Sequence, residues 1–315
     1  MLRRTLLAAP LAASVPWAAS RAFAANGFPT RPIRLICYQA AGGTVDLTLR
    51  AAQPFLAAQG VRTQIEYQLG GGGNVARVQT YNAPPDGYTM MGESAPSAAL
   101  AEALAPGSFS SRAFEPIYAW SIEGWAISMR KDSPVRDLKA LAELGRTRPI
   151  VAGSIGRGGG SHLQLLLLQR ALGVPFNFVH FSGSSQAYPQ VLGGNIDIAC
   201  AGPGSGSRMV DQLNFLCVFR DHEAALPGVG SARSQGFGVP SIDQIYYAQA
   251  TPKAPEDRLA LLEAAFDAAS RDPGFAAAQA KAGLLNVEHV GRVALRTLLD
   301  EGFDLAKTYA KDLAA

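Results

Sequence analysis

The chain has 315 residues, 48% of them apolar and 17% charged, with 28 Lys and Arg against 25 Asp and Glu. Three of the arginines and none of the acids lie in residues 1–24, so the remainder balances at 25 of each sign. That balance, with no basic stripe interleaved with aromatics, excludes nucleic acid as a partner, and the roughly 290 residues that follow suit two domains better than one.

Arg3 and Arg4 form a positive start, Leu6 to Ala19 is an apolar stretch broken by Pro10 and Pro16, and Ala22-Phe23-Ala24 fits a small-x-small cleavage site. The apolar run is too short and too broken to span a membrane. Residues 1–24 therefore read as an export signal cleaved near Ala24, and the mature protein as periplasmic. The arginine pair leaves general secretion and twin-arginine export both open. No Cys stands at the cleavage site to carry a lipid anchor. Cys37, Cys200 and Cys217 each sit in an apolar run. They read either as buried thiols or, for Cys200 and Cys217, as a pair able to bond in an oxidising compartment.

Ile33 to Tyr38 is short and continuously apolar, as a buried strand is. Gly42-Gly43 turns it into a helix from about Val45 to Ala58, which Gly60 ends. Arg62 to Tyr67 alternates as a second strand. Gly70 to Gly73 leads into a helix from Val75 to about Asn82, stopped by Pro84-Pro85, and Tyr88 to Gly92 is a third strand. A second series begins near Trp125. It comprises a strand at Ala126–Met129, a helix at Asp137–Gly145, a strand at Pro149–Ala152 and a long glycine loop. An apolar helix from Leu163 to Leu172, closed by Gly173, then precedes strands at Phe176–Phe181, Ile196–Cys200 and Phe215–Phe219. The chain returns through Ile245-Tyr246-Tyr247 to two terminal helices. One carries a stripe of Leu259, Leu262, Phe266 and Ala269 and ends at Asp272-Pro273; the other is faced by Leu295, Leu298, Leu299 and Leu305. The repeated strand–glycine turn–helix unit predicts an α/β fold with two lobes, each a doubly wound sheet flanked by helices. Lobe 1 is expected at 25–123 plus 246–315 and lobe 2 at 124–245. A ligand then belongs in the cleft between them, at the carboxyl ends of the strands.

The order of motifs resembles the extracytoplasmic solute-binding receptors of tripartite tricarboxylate transporters, the Bug family. The resemblance rests on Phe28-Pro29-Thr30-Arg31-Pro32-Ile33-Arg34-Leu35, on Gly42-Gly43 with Asp46, and on Gly72-Gly73-Asn74. It continues in Ala83-Pro84-Pro85-Asp86-Gly87-Tyr88-Thr89, Gly158-Gly159-Gly160-Ser161-His162-Leu163 and Leu192-Gly193-Gly194-Asn195-Ile196-Asp197. It implies a receptor that closes on a small organic carboxylate and delivers it to integral-membrane transporter subunits. Such a protein is a monomer with no cofactor, no metal and no enzymatic activity. A first ligand carboxylate is expected at Gln39, Ala40, Ala41, Gly42, Gly43, Thr44 and Asp46, partly through water. A second ligand group is expected at Ser154, Arg157, Gly158, Gly159, Gly160, Ser161 and His162. Ser94, Ser182, Gly183 and Gly202 complete the candidate set.

The sequence also departs from the family. Gln39-Ala40-Ala41 stands where two prolines and an aromatic are usual, His180-Phe181-Ser182-Gly183 replaces Pro-Tyr-Lys-Gly, and Ala201 stands where an acid is usual. The loss of that acid weakens the case for a ligand bearing an amino group. Several residues keep two readings. Gln39 bonds ligand or faces water. Asp46 meets ligand through water or is a first-turn acid favoured by the helix dipole. Arg157 is a solvated loop charge or a carboxylate clamp. Ser161 is a helix cap that also binds ligand, or with His162 the centre of an exported hydrolase. Tyr246 and Tyr247 line the cleft or pack. A role in presenting ligand to a sensor ectodomain is the other alternative to uptake. His180 and His222 lack the spacing of zinc ligands.

Overall fold

The computed structural model describes residues 27–221, 226–281, 284 and 286–314. The expected export signal and His222 lie outside them. The first half runs β1 (Ile33–Cys37), α1 (Thr44–Ala58), β2 (Thr63–Tyr67), a single 3-10 turn at Gly71–Gly73, α2 (Asn74–Tyr81), β3 (Thr89–Ala95), α3 (Ser97–Leu104) and β4 (Glu115–Glu123). Next come β5 (Ala126–Arg130), α4 (Leu138–Thr147), β6 (Ile150–Ile155), α5 (Gly160–Leu172), β7 (Phe176–Phe181), α6 (Ser184–Leu192), β8 (Ile198–Ala201), the one-turn α7 (Pro203–Gly206) and β9 (Leu213–Val218). The chain ends with β10 (Gln244–Ala250), α8 (Glu256–Ser270), α9 (Pro273–Lys281), β11 (Val287–Gly291) and α10 (Arg292–Ala314).

Two sheets result, and helices flank both. The first has the order β11-β4-β10-β3-β1-β2 and the second β7-β6-β8-β5-β9. β1 pairs in parallel with β2 and β3, and β6 pairs in parallel with β7 and β8. These are the strand–glycine turn–helix units that the sequence predicts. β10 is antiparallel to both β3 and β4, and β5 is antiparallel to both β8 and β9, so each sheet is mixed. The chain crosses between sheets from β4 to β5 and returns from β9 to β10. Local chemistry sets the helix ends. Gly60 and Gly173 hold φ of +82° and +65° just past α1 and α5, the left-handed conformation that closes a helix. Asp137 caps α4 by accepting the Ala140 N–H at 2.7 Å.

Several elements depart from the sequence expectation. Ile245-Tyr246-Tyr247 is not a bare crossover but the middle of β10, buried at all seven positions. β4, β11, α3 and α6 were not foreseen. Pro273 does not merely end α8; it opens α9, because proline is tolerated in a first helical turn. Cys200 and Cys217 both register with Ile127, one on each side of β5. Two strand spacings put them roughly 9–10 Å apart, beyond the roughly 7 Å reach of a disulfide. All three cysteines are free and buried.

One apolar core gathers β1, β3, α1 and α8 around Leu35, Leu49, Met90 and Phe266. A second gathers β5, β6, β8 and α5 around Ile127, Leu141, Leu165 and Ile198. The last helix serves both sides. Arg292 and Arg296 near its start bond the carbonyls of Pro116 and Phe114 beside β4. Ala306 and Leu313 near its end belong to the second core, and Arg170 on α5 pairs with Asp312.

Arg77 on α2 and Glu93 on β3 are both fully buried. Their two hydrogen bonds are 2.7 and 3.0 Å, and a third Arg77 nitrogen donates to the Gly72 carbonyl at 2.9 Å. Removing one member strands the other charge in a dry site. Arg77→Met should lower the unfolding free energy by about 3–5 kcal/mol, read by urea titration. Adding Glu93→Leu should recover part of that loss. No recovery would mean that the charges are not coupled.

Candidate functional site

The glycine turn after β1 is held by its own side chains. Gln39 is buried, and its Oε1 accepts the Val45 N–H at 2.9 Å, while Gly43 N–H donates to the Ala40 carbonyl at 2.9 Å. Gln39 thus neither faces water nor offers that oxygen to a ligand: it replaces the missing prolines as the brace of the loop. Asp46 is the first-turn acid. Its carboxylate accepts the Gly42 N–H at 2.8 Å, Arg50 and the Tyr67 hydroxyl. Those protein donors occupy the groups that a bridging water would need. Ala41 is exposed, and Gly42 lines a separate groove of about 320 Å³ with Ser184 and Arg208. Thr44 points inward and donates to Ser205 at 3.3 Å.

The turn after β6 is built differently. Ser161 Oγ accepts the Ile155 N–H at 2.7 Å and donates to the Ile155 carbonyl at 3.2 Å. His162 Nδ1 accepts the Gly158 N–H at 3.2 Å. Ser161 is therefore a brace for the loop and makes no nucleophile–base pair with His162. The Ser–His contact in this region is instead Ser154 Oγ to His180 Nδ1, at 2.7 Å. The His162 and His180 rings lie edge-to-face at 4.7 Å. Burial, then the neighbouring His180 and Arg157, lower the His162 pKa to about 4. Burial and Arg157 also lower that of His180. Both imidazoles are neutral near pH 7. Among the described residues no three His, Cys, Asp or Glu side chains cluster as a metal site requires.

These turns meet between the sheets. Ala40 N–H donates to the Ser182 carbonyl at 3.0 Å. Gly160 N–H reaches Ser97 Oγ at 3.4 Å, and Ser97 continues through Ser94 Oγ to the Tyr38 hydroxyl. A Cβ at Gly183 would lie 3.2 Å from Ala40 N. A Cβ at Gly202 would lie 2.9 Å from both Thr44 Oγ1 and the Tyr246 hydroxyl, and 3.6 Å from Gln244 Nε2. Tyr246 thus faces the cleft, while Tyr247 packs away from it and donates to Gln249. The structure brings Ala40, Thr44, Ser94, Gly160, Ser182, Gly183 and Gly202 to this interface. Gly158 and Gly159 come with them, against Leu104 and Ser97. Arg157 and Ser182 line an adjoining chamber of about 590 Å³.

The most telling atoms here escaped the sequence reading. Trp125 Nε1, which a Cβ at Gly160 would approach to 3.4 Å, is buried without a hydrogen-bond partner among the described residues. So are Gln244 Nε2 and Ser184 Oγ. Indole and amide N–H groups only donate, and buried donors are almost always satisfied. Trp125 marked the start of the second series in the sequence, and Gln244 adjoins Ile245; neither position signals a site until the two crossings are brought together.

Approach of the two glycine turns is close enough to exclude side chains. A Cβ at Gly72 would lie 2.7 Å from the Arg157 carbonyl oxygen, and one at Gly158 2.1 Å from Leu104 Cδ1. The Gly72 contact is with backbone, which cannot swing aside. Gly72→Ala should therefore leave the chain folded but hold the sheets apart. The expected result is a larger scattering radius and at least about tenfold weaker ligand binding; an unchanged radius would show the contact to be dispensable. His162 gives a pH prediction. The unfolded chain takes up a proton near pH 6.5 that the folded chain refuses until about pH 4. Stability from this group is thus complete above about pH 6.5 and lost as pH falls toward 4. The full loss is on the order of 3 kcal/mol. Melting curves of His162→Gln should lose that part of the acid sensitivity.

Residues 50–298 match the tripartite tricarboxylate transporter family receptor. A UPF0065 protein of Agrobacterium vitis is 32% identical over 196 residues, 59% of this chain; the match spans about half, 54%, of that relative's length. The fold is also that of MatC from Rhodopseudomonas palustris with bound malate, at a TM-score of 0.82 and 24% identity, covering 90% of this chain and all of the other. It is equally that of the periplasmic binding protein BugD, at a TM-score of 0.82 and 23% identity over 90% of this chain and 98% of the other. Two glycine-turned sheets enclosing unanswered donors, together with a match over most of the length, place this chain in the tripartite tricarboxylate transporter receptor family of periplasmic solute-binding proteins.

Proposed function

We propose that this protein is an exported receptor that captures a small organic carboxylate between its two sheets and delivers it to a tripartite-type membrane transporter. The observation that carries the reading is the set of buried donors, Trp125 Nε1 and Gln244 Nε2, with no acceptor of their own. A carboxylate supplies acceptors without requiring a cation in the site. The helix starts at Thr44 and Gly160 add partial positive charge, one from each sheet, and water can bridge what direct bonds do not reach. The malate held by the similarly folded MatC is a ligand of this kind. The elements on either side of the crossings near 123–126 and 218–244 act as the two lobes. Ligand contacts both, so it favours the closed form of an existing equilibrium.

The test is a thermal-shift panel on signal-free protein, refolded to strip ligand carried from the host. Mono-, di- and tricarboxylates, amino acids and neutral analogues are compared. A carboxylate at about a hundred times its dissociation constant should add roughly 2.7 kcal/mol of stability and reduce the scattering radius. Shifts from neutral compounds alone, or none at all, would overturn the carboxylate reading.

A further inference from the structure

We infer that Arg220 is a splint across the joint between the two sheets, holding them at the angle at which the glycine turns meet. The inference goes beyond the receptor reading and holds whatever the guest is.

β4 of the first sheet ends at Glu123 and β5 of the second starts at Ala126, so Gly124-Trp125 is the whole of the first crossing. The return crossing starts beside it. β5 and β9 pair as far as Ala126 with Val218, and the Phe219 N–H then donates to the Trp125 carbonyl at 3.1 Å. That antiparallel register puts Arg220 level with Gly124 on the neighbouring segment. From there the side chain leaves its own sheet. Its guanidinium donates to the Ile122 carbonyl, in β4, at 2.9 Å, and its Nε faces the Asp243 carboxylate, one residue before β10, at 3.7 Å. Ile122 registers with Ile245 and Glu123 with Gln244, so the two anchors lie at the same end of one strand pair. One side chain from the second sheet thus reaches both strands by which the chain leaves and re-enters the first.

The contact also accounts for Gly124. Its φ lies outside the left-handed region that calls for glycine. What the position lacks is room: a Cβ there would stand 2.7 Å from Arg220 Cγ and 3.1 Å from Cδ. The glycine leaves the space in which the arginine stem lies across the joint. A bare glycine joint is compliant, and the planar guanidinium, with its fixed fork of donors, stiffens it. The bond to Ile122 carries more of this than Asp243 does. The Asp243 contact is long and partly exposed, and its carboxylate also accepts the Ser241 hydroxyl at 2.8 Å. Arg220 is therefore a positioning residue that acts through the joint. Without it the sheets take up a wider spread of angles about the same crossings.

The test needs no ligand. On the refolded, signal-free chain, amide hydrogen exchange follows the Phe219 N–H and small-angle scattering follows the radius. Arg220→Met keeps an apolar stem over Gly124 and loses the guanidinium. Phe219 should then exchange at least about tenfold faster, the equivalent of one hydrogen bond from a charged group, and the radius should rise. The amides of Leu35 in β1 and Ile198 in β8 should stay within about twofold of the parent. Gly124→Ala pushes the stem aside and should give the same two changes. The double variant should be no faster than either single one, because both remove the same contact. Asp243→Asn should stay within about twofold of the parent. An unchanged Phe219 rate and radius in Arg220→Met would overturn the splint, as would additive effects in the double variant. Leu35 and Ile198 speeding up by the same factor as Phe219 would reveal a loss of global stability alone and would overturn it too. Failure of every carboxylate in the thermal-shift panel would overturn the receptor reading and leave the splint standing.

Discussion

The buried Arg77–Glu93 pair is the constraint on which the rest of the site depends. Glu93 belongs to β3 and also accepts the Ser94 N–H, while Arg77 holds the Gly72 carbonyl and lies 5.2 Å from the Tyr38 ring centroid. One ion pair therefore fixes the end of a central strand, the glycine turn beyond the sheet edge and the aromatic between them. That turn then meets the Arg157 loop of the other sheet backbone to backbone. A pair of this kind is a poor source of net stability, because desolvating two charges offsets most of their attraction. It constrains instead, since no other position of the turn satisfies both charges.

The interface built on that frame carries few uncommitted charged side chains. The cations near the carboxyl ends of the strands are committed or peripheral: Arg50 is tied to Asp46, Arg77 to Glu93, and Arg157 stands at the chamber. What stands there is N–H and O–H groups from glycine turns, serines, an indole and an amide, beside the buried carboxylate of Glu123, the strand partner of Gln244.

Much of this was legible beforehand, and the failures have physical causes. β1 and the turn at Gly42-Gly43 could be read directly, because a continuous apolar run followed by glycines has few other interpretations. β4 could not: Pro116, Ser121 and Glu123 disguise a strand whose polar side chains are buried against β10 rather than against solvent. α3 was hidden by its alanines, which carry no periodic contrast. At the site, the sequence leaves two readings for Gln39 and Asp46, and the structure shows both side chains engaged within the loop. Each is absorbed by a hydrogen bond to a residue four to six positions away. Trp125 and Gln244 were missed because each stands at a crossing between sheets, and only the topology makes the two crossings neighbours.

The C-terminal helix has a mechanical consequence. It leaves β11 bonded to residues beside β4, passes Pro96 with Gly302 against that ring, and ends in the second core. A helix neither stretches nor shears without breaking its own ladder of bonds. Any relative rotation of the two sheets must therefore roll about this helix or bend it at the Gly302–Pro96 crossing. The chain thus carries a third connection between its halves. That connection acts as a stiff axle for any rotation of one sheet against the other.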